Sequence, residues 1–332
     1  MSVSAVITCY NLESFIGEAI DSARQAMRGI GGEIIVVDDC STDGSSDVIK
    51  MREIGEVRYL RTEHNRGVML ATLAGIATAR HSVIAFLDGD DVWAEAKIRA
   101  ALDAFKADDR LALVTHDLQF VDAAGKPTGR TSRPSQTMPR TPTAQWSDHL
   151  RRSVLEHRDD IWLGSALSVH RERAGLDAFG DWVRSRHDAA EMYQDWPLAT
   201  WTAAQPACRL GYIPEKLFSY RLHGQNHSGG ASDAARALRN FTRNANTLRA
   251  MVDIVSRAGK PSAKLRADLH LAEAQVALYR GHNREAIGSY LAALPSLVPR
   301  PAALAKEVAR LAAVALLGQA RGQKLLQRAA RA

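Results

Sequence analysis

The sequence predicts an α/β protein with a mostly parallel sheet flanked by helices and an α-helical region at its C-terminal end. The first third of the chain repeats the order strand, polar loop, helix four times, which is typical of parallel sheets covered on both faces. After Gly230 strand signals disappear and alanine, leucine and arginine dominate, which favours helices. We therefore expect 1–110 and 111–230 to form two halves of one domain and 231–332 to form a helical region.

Four strand and helix units make up the first region. The first is VSAVITCYN followed by LESFIGEAIDSARQAM, whose apolar residues recur at helical spacing. The second has a buried strand at Ile34–Val37 and a helix that begins near Ser45. The third and fourth are VRYLRTEHNRGVMLATLAGIATAR and SVIAFLDGDDVWAEAKIRAALDAFKA. Because ligands bind at the carboxyl ends of such strands, TCYN, DDCSTDGS, EHNRG and DGDD should line one site.

The second and third regions are less regular. LALVTHDLQFVDAAGKPTG predicts a hairpin with its turn at Gly125–Pro127, and the composition of 130–143 predicts a mobile loop. WLGSALSVHRERA predicts a strand and a helix start, AEMYQDWPLATWTAAQ a helix, and GYIPEKLFSYRLHGQNHSGG a strand that runs into a polar loop. LHLAEAQVALYRGHNREAIGSYLAAL outlines a helical hairpin similar to one tetratricopeptide unit.

The formal net charge of +6 is concentrated at the C-terminal end. From Arg300 onward the chain has seven basic residues and one acidic residue, Glu307, so the rest is close to neutral. This distribution argues against a nucleic-acid-binding protein. The same segment has a broad apolar helical face, formed by Leu304, Val308, Leu311, Val314, Leu317 and Leu325. The pattern suits an anionic lipid surface, but it equally fits a helix packed on its neighbours with a solvated charged face, which we slightly favour.

Cysteine usage and the N-terminal sequence indicate a cytoplasmic protein. Cys9, Cys40 and Cys208 are widely spaced and match neither a disulfide framework nor a zinc-binding pattern. Met1 is followed directly by a strand-like run rather than by a signal peptide. The apolar stretch Leu311–Ala320 is too short to span a bilayer, which needs about 20 residues. We expect a cytoplasmic location, at the inner face of the membrane if the basic tail binds lipid.

FLDGDDVW places Asp88, Asp90 and Asp91 directly behind a buried strand. Neighbouring carboxylates repel each other, so the cluster indicates a neutralising cation, proton or set of donors. Mg²⁺ and Mn²⁺ prefer oxygen ligands, which favours a divalent metal shared by Asp88 and Asp90. A helix N-cap at Asp90 or Asp91, for a helix that starts at Trp93, is the alternative, but capping explains one aspartate and not three.

Two other families have similar acidic motifs. DGDDV fits phosphatases of the haloacid dehalogenase type, in which Asp88 would be a phosphorylated nucleophile and Asp90 a general acid. VVDDCS suggests the acidic pocket of a response regulator. Both families carry these residues on the first strand, whereas here they follow later strands.

Three further segments carry candidate site residues. Asp39 ends a strand before small residues, so its carboxylate suits a base N–H or ribose hydroxyls, although a capped turn has the same pattern. Asp195 lies among apolar residues that would raise the pKa of its carboxyl to a value useful for a general base; a helix N-cap before Pro197 is the alternative. In SYRLHGQNHS, Arg221 suits phosphate and His223 a divalent metal, although loop histidines are often only solvated.

Together these elements resemble the family 2 glycosyltransferases of the GT-A fold. The resemblance covers about residues 1–230 and rests on six motifs in order: TCYN with Glu13, VVDDCSTDGS, NRGV, FLDGDDVW, QDWPLA and YRLHGQNHS. It implies a Rossmann-like GT-A sheet in which 1–110 binds a nucleotide-sugar and 111–230 holds the acceptor and the catalytic base.

The resemblance also implies a role for each matching residue. Asp195 would be the general base, and Asp88, Asp90 and His223 would hold Mn²⁺ or Mg²⁺ at the diphosphate of the donor. The donor-binding residues would be Thr8, Tyr10, Glu13, Asp38, Asp39, Asn65, Gly67, Asp88, Gly89 and Arg221. Gln194 is a departure, because the family commonly has Glu before the catalytic Asp.

These roles predict a metal-dependent transfer of a sugar from a nucleoside diphosphate to an acceptor hydroxyl. One base and no second carboxylate placed as a nucleophile indicate a single displacement that inverts the anomeric centre. Family analogy implies a UDP-sugar donor, a glycan or lipid-linked glycan acceptor and bacterial surface polysaccharide synthesis. The alternatives are a catalytically silent nucleotide-sugar-binding or assembly module on the same fold, and the phosphatase.

Overall fold

The computed structural model describes residues 1–131, 147–157, 163–224 and 234–297. The chain divides into two compact units, the first being Met1–His223 and the second beginning at Gly224. Most of the loop predicted at 130–143, the polar loop after Gly224 and the basic segment after Arg300 lie outside the described residues.

An eight-stranded sheet runs through the first unit. In chain order its strands are β1 (Val3–Cys9), β2 (Gly32–Asp38), β3 (Val57–Arg61), β4 (Val83–Asp88), β5 (Val92–Trp93), β6 (Leu111–Asp122), β7 (Ser168–His170) and β8 (Arg209–Leu222). Their order in the sheet is β3-β2-β1-β4-β7-β6-β8-β5. The neighbours β3, β2, β1 and β4 are parallel, whereas β7 is antiparallel to both β4 and β6. The sheet is therefore mixed, with the predicted parallel units forming one half of it.

Helices cover both faces of this sheet. The described α-helices of the first unit are α1 (Ile16–Ala26), α2 (Ser45–Lys50), α3 (Val68–Thr78), α4 (Lys97–Ala107), α5 (Ser147–Leu155), α6 (Arg171–Ala174), α7 (Leu176–Arg184) and α8 (Asp195–Ala204). On one face of β1, Ile7 joins a buried cluster with Ile16 and Ile20 of α1. On the other face, Gly75 of α3 lies against Val6. Since alternate residues of a strand point to opposite faces, this packing confirms the α/β layers expected from the sequence.

Two segments of the second region differ in extent from the sequence prediction. The predicted hairpin is short: the chain after β6 returns only through an isolated bridge between Val121 and Pro127. The helix predicted in AEMYQDWPLATWTAAQ begins only at Asp195. Its first turn tolerates Pro197, because the first backbone N–H groups of a helix have no partner within the helix.

The described part of the second unit is helical as expected. Its described helices are α9 (Ala234–Ala258), α10 (Ala263–Arg280) and α11 (Asn283–Leu297). Ser262 caps α10 by accepting a hydrogen bond from the Leu265 N–H, and Gly281 ends the same helix with a φ of +83°. In the described ranges, no helix is long and apolar enough to cross a membrane.

Gly67 lies at the start of α3, where the chain is tightly packed. It has a φ of +83°, and a Cβ there would lie 2.0 Å from the Ala190 carbonyl oxygen. We expect Gly67→Ala to lower the free energy of unfolding by at least about 2 kcal/mol more than Gly55→Ala. Gly55 is the matched control, because its φ is +67° but a Cβ would meet nothing within 4 Å. Urea unfolding measures both variants, and equal losses would contradict the packing.

Candidate active site

The acidic loop after β4 lies against the end of β1. Thr8 of β1 pairs with Asp88 of β4, and the Gly89 N–H donates to the Thr8 carbonyl at 2.9 Å. A Cβ at Gly89 would lie 2.8 Å from that oxygen. The structure thus gives Gly89, predicted as a donor-binding residue, a packing reason to be glycine: the loop can turn tightly across the strand ends.

Asp91 is buried and does not cap a helix. The helix proposed as the alternative does not start at Trp93, which lies in β5; α4 begins at Lys97. The Asp91 carboxylate instead accepts the Ser165 hydroxyl at 2.6 Å and the Arg221 backbone N–H at 3.0 Å. Burial, followed by repulsion from neighbouring aspartates, raises the pKa of Asp91 well above its ordinary value. The capping interpretation of Asp91 is wrong.

Asp88 receives hydrogen bonds from neutral groups. Its Oδ1 lies 3.0 Å from Gln194 Nε2 and 3.5 Å from the Thr8 hydroxyl. Burial, and then the charges of Asp90 and Asp195, raise the pKa of Asp88 to about 7. Asp195 is far away in sequence, but its neighbour Gln194 contacts Asp88, so the predicted base and the acidic loop share one region.

Asp90 and His223 meet across the site. His223 Nε2 lies 2.9 Å from Asp90 Oδ2, and the His223 ring packs on Phe15 with its centroid 4.6 Å away. The sequence predicted that these two residues share a metal. The structure brings them together directly.

Arg221 lies beneath the acidic loop with its donors directed at protein acceptors. It is 3% exposed. Its guanidinium bonds the Asp90 carbonyl at 3.0 Å, the Ala123 carbonyl at 3.0 Å and the Glu18 carboxylate at 2.6 Å. Sequence reasoning predicted that Arg221 binds phosphate; it could not reveal that the guanidinium also holds these protein acceptors.

Asp195 is the first residue of α8. Its Oδ1 accepts the Trp196 N–H at 2.8 Å. Burial raises the pKa of Asp195 to about 6, although backbone hydrogen bonds oppose this shift. A carboxylate with this pKa is ionised at neutral pH and can still accept a proton, as a general base must.

The predicted donor-binding residues fall into two groups. Tyr10, Glu13 and Asn65 are exposed, whereas Asp38 and Asp39 are buried. Hydrogen bonds keep the pKa of the Asp38 carboxyl below its usual range although burial raises it, and its partners include the Tyr59 hydroxyl at 2.9 Å.

Asp39 and Glu13 mainly hold loops of their own chain. The Asp39 carboxylate accepts the N–H groups of Arg66 and Gly67 at 2.9 and 2.7 Å, which fixes the start of α3. Glu13 accepts the Gly44 N–H at 3.1 Å. Sequence position placed both acids at the correct edge of the sheet but could not show these internal partners.

Sequence reasoning missed a short turn at 164–166. The Ser165 hydroxyl accepts the Asp88 N–H at 3.0 Å and donates to Asp91. Two buried side chains hold the turn in place: Trp93 Nε1 donates to the Ser165 carbonyl and Lys97 Nζ donates to the Ala166 carbonyl, both at 3.0 Å. The small residues of GSA were the signal available, since they allow a close approach of backbone.

The acidic loop fits a divalent cation that also binds a phosphate group. Within the described part of the chain, neither Asp88 nor Asp195 has a basic side-chain partner, and no group of three or more His, Cys, Asp and Glu is arranged to hold a metal ion. Asp88, Asp90 and His223 therefore do not form a complete metal site in this arrangement, and a cation would need further ligands. Phosphate oxygens are suitable ligands for Mg²⁺ or Mn²⁺.

Comparison with known proteins identifies the family. Residues 4–156 match the model of glycosyl transferase family 2. TuaG of Bacillus subtilis (strain 168), a glycosyltransferase provisionally named for teichuronic acid biosynthesis, is 33% identical over 237 residues, which cover 70% of this chain and 84% of TuaG. The chain belongs to glycosyltransferase family 2. Nothing in these comparisons supports the phosphatase alternative.

Solved structures show the same GT-A fold. TarS of S. aureus (residues 1–349) in complex with UDP-GlcNAc superposes with a TM-score of 0.55 at 14% identity, covering 87% of this chain and 89% of that chain. The mannosyltransferase PcManGT of Pyrobaculum calidifontis, in complex with GDP-Man and Mn²⁺, has a TM-score of 0.51 at 19% identity, covering 99% and 86%. These neighbours confirm the fold expected from the resemblance.

Ser165→Ala tests the turn at 164–166. The variant removes the donor to a buried carboxylate, so we expect a loss of about 1.5 to 3 kcal/mol in the free energy of unfolding at neutral pH. Ser22→Ala is the control, because the Ser22 hydroxyl also accepts a backbone N–H, that of Trp93, but contacts no carboxylate. Its expected loss is about 1 kcal/mol. Equal losses in urea unfolding would contradict the role of the Ser165 to Asp91 bond.

Proposed function

We propose that this glycosyltransferase moves a sugar from a nucleoside diphosphate to an acceptor hydroxyl by a metal-dependent, inverting single displacement. The observation that carries this proposal is the meeting of Asp88, Asp90 and Asp195 at the carboxyl edge of the sheet. Such a set can bind a cation with its diphosphate on one side and accept a proton on the other.

Asp195 acts as the general base. It takes the proton of the acceptor hydroxyl as that oxygen forms a bond to the anomeric carbon of the donor. The bond from the anomeric carbon to the diphosphate oxygen breaks, and its electron pair leaves with the nucleoside diphosphate. The charge of Asp195 is neutralised as it gains the proton, which its partly desolvated position favours.

Asp88, Asp90 and His223 hold Mn²⁺ or Mg²⁺. When bound, the cation supplies Lewis-acid stabilisation of the diphosphate charge. Arg221 holds the Asp90 backbone, and Phe15 supports the His223 ring, so both orient the proposed metal ligands. PcManGT, which has Mn²⁺ and GDP-Man in its structure, supports a divalent cation in this fold.

The roles that we assign to the carboxylates support a single displacement. Asp88 and Asp90 are assigned to the cation, and Asp91 is enclosed by Ser165 and Arg221. With Asp195 as base, no acid in the described acidic cluster is left as a nucleophile. The product therefore has the opposite anomeric configuration to the donor.

The donor site is formed by 1–110 and the acceptor half by 111–230, followed by the helical region 231–332. Exposed Tyr10, Glu13 and Asn65 line the donor edge, together with Thr8, while Asp38, Asp39, Gly67 and Gly89 shape the loops behind them. UDP-GlcNAc in the TarS structure supports a UDP-sugar donor.

The acceptor is a glycan or lipid-linked glycan of a bacterial surface polysaccharide. The name of TuaG, which refers to teichuronic acid, supports this class. The basic segment after Arg300 brings the enzyme to the inner face of the membrane. Loss of liposome binding at low salt on its removal would test that contact.

Asp195→Asn tests the base. The amide cannot accept the proton, so we expect turnover to fall at least about 100-fold while donor affinity stays within a factor of about two. Turnover is measured as the release of nucleoside diphosphate from a nucleotide-sugar that the wild-type protein uses as a donor. Calorimetry measures the affinity for that donor. Asp177→Asn is the control, because that side chain is exposed on α7. Wild-type turnover in Asp195→Asn would remove this residue from the role.

The pH profile should report the same group. Because burial raises the pKa of Asp195 to about 6, the carboxyl gains a proton and stops acting as a base as the pH falls below that value. We expect kcat/KM to lose about tenfold for each pH unit below about 5.5 and to reach a plateau above about 7. A flat profile from pH 5 to pH 8 would contradict the assignment.

Asp90→Asn tests the metal assignment. Removing one carboxylate ligand should raise the Mn²⁺ concentration for half-maximal activity at least about tenfold. Asp103→Asn, an exposed change on α4, should leave it unchanged. If Asp90→Asn shows the wild-type Mn²⁺ dependence, Asp90 is not a metal ligand.

A further inference from the structure

Gln194 joins the catalytic helix to the acidic loop. It is the N-cap residue of α8, directly before Asp195, and is 7% exposed. Its side-chain amide lies 3.0 Å from Asp88 Oδ1. The amide nitrogen of Gln194 faces the Asp88 carboxyl group and donates to it. Asp88 is thus held by a neutral donor from the segment that carries the base.

Gly164 leaves the space in which this contact forms. A Cβ at Gly164 would lie 2.7 Å from Gln194 Nε2 and 3.2 and 3.3 Å from the two Asp88 carboxylate oxygens. Any side chain there would displace the amide or the carboxylate. The buried Gln194 amide and the space left by the missing side chain of Gly164 therefore both allow the contact between Gln194 and Asp88.

The neutral side chain also limits the charge of the cluster. Asp90 and Asp195 already repel the charge of Asp88, and a glutamate at 194 would add a further carboxylate about 3 Å from Asp88. Ca²⁺ and Mg²⁺ sites gain affinity with the number of charged ligands. In the described ranges, no group of three or more potential ligands is arranged to hold a metal alone.

We propose that Gln194 is a positioning residue that fixes the Asp88 carboxylate and, by adding no further negative charge beside it, makes cation binding depend on a nucleoside diphosphate. The inference rests on the proposed function, since it assigns the cation to Asp88 and Asp90. It adds a binding sequence to that function: the protein retains the cation only after the diphosphate has supplied the missing ligands.

Gln194→Glu replaces the neutral amide by a carboxylate with almost no change in the shape of the side chain. We expect the variant to bind Mn²⁺ in the absence of nucleotide at least about tenfold more tightly than wild type. The loss of the free Mn²⁺ signal in electron paramagnetic resonance, at one pH near 8, measures this without any enzymatic reaction. An affinity that is unchanged or lower would overturn the proposal.

Gln205→Glu is the matched control. Gln205 lies at the opposite end of the same helix and donates to the Trp201 carbonyl, so the charge change is identical but distant from the acidic loop. It should leave Mn²⁺ binding at the wild-type value. A similar gain in both variants would overturn the proposal, because the effect would then come from net charge.

Gln194→Leu provides a second test that adds no charge. It removes the amide donor, so we expect the affinity for Mn²⁺ in the presence of UDP, GDP or dTDP to fall about tenfold. Gln205→Leu should have no effect, and thermal unfolding checks that each variant is folded. Wild-type affinity in Gln194→Leu would remove the positioning role. If wild type itself bound no Mn²⁺ with any nucleotide, the proposed function would fail, whereas normal wild-type binding with no effect at 194 defeats this inference alone.

Discussion

The structure depends on how it accommodates several aspartates at the end of one buried strand. Carboxylates in a partly desolvated site repel each other, so each needs a donor or a cation. Asp91 is buried and accepts hydrogen bonds from Ser165 and the Arg221 backbone at 2.6 and 3.0 Å, whereas Asp88 is half-buried and accepts longer ones from Gln194 and Thr8 at 3.0 and 3.5 Å. The shorter hydrogen bonds and deeper burial of Asp91 separate a structural acid from the acids available to a ligand.

The turn at 164–166 enforces that separation. Trp93 and Lys97 hold its carbonyl groups from the interior, while Ser165 and Gly164 face the acidic loop. Buried Lys97 is desolvated, which lowers the pKa of its ammonium group well below the ordinary value. Its hydrogen bond to the Ala166 carbonyl stabilises the turn that positions Asp88 and Asp91. Lys97 therefore acts on these aspartates through the turn and not by direct contact.

Much of the fold and part of the site could be predicted from the sequence, for identifiable reasons. Repeated strand and helix patterns predicted the parallel units, and the rule that ligands bind at strand ends located Asp88 and Asp90. A residue pattern does not show which groups a side chain contacts in the folded protein. The internal hydrogen bonds of Arg221 and Asp39 could therefore not be predicted from it. The cap at Asp91 failed because β5, a strand of two residues, pairs with β8 before α4 begins. Ser165 escaped notice because it becomes important only when a distant turn folds onto β4.

Calorimetric titration of UDP, GDP and dTDP into the wild-type protein, each with Mn²⁺ and again with EDTA, tests the central claim most directly. The acidic loop should bind a cation and a diphosphate as a unit. We expect tight binding of one nucleotide with Mn²⁺ and a large loss of affinity in EDTA. Equal binding in both conditions, or no binding of any nucleotide, would contradict the assignment of Asp88 and Asp90 and would favour a module without transferase activity.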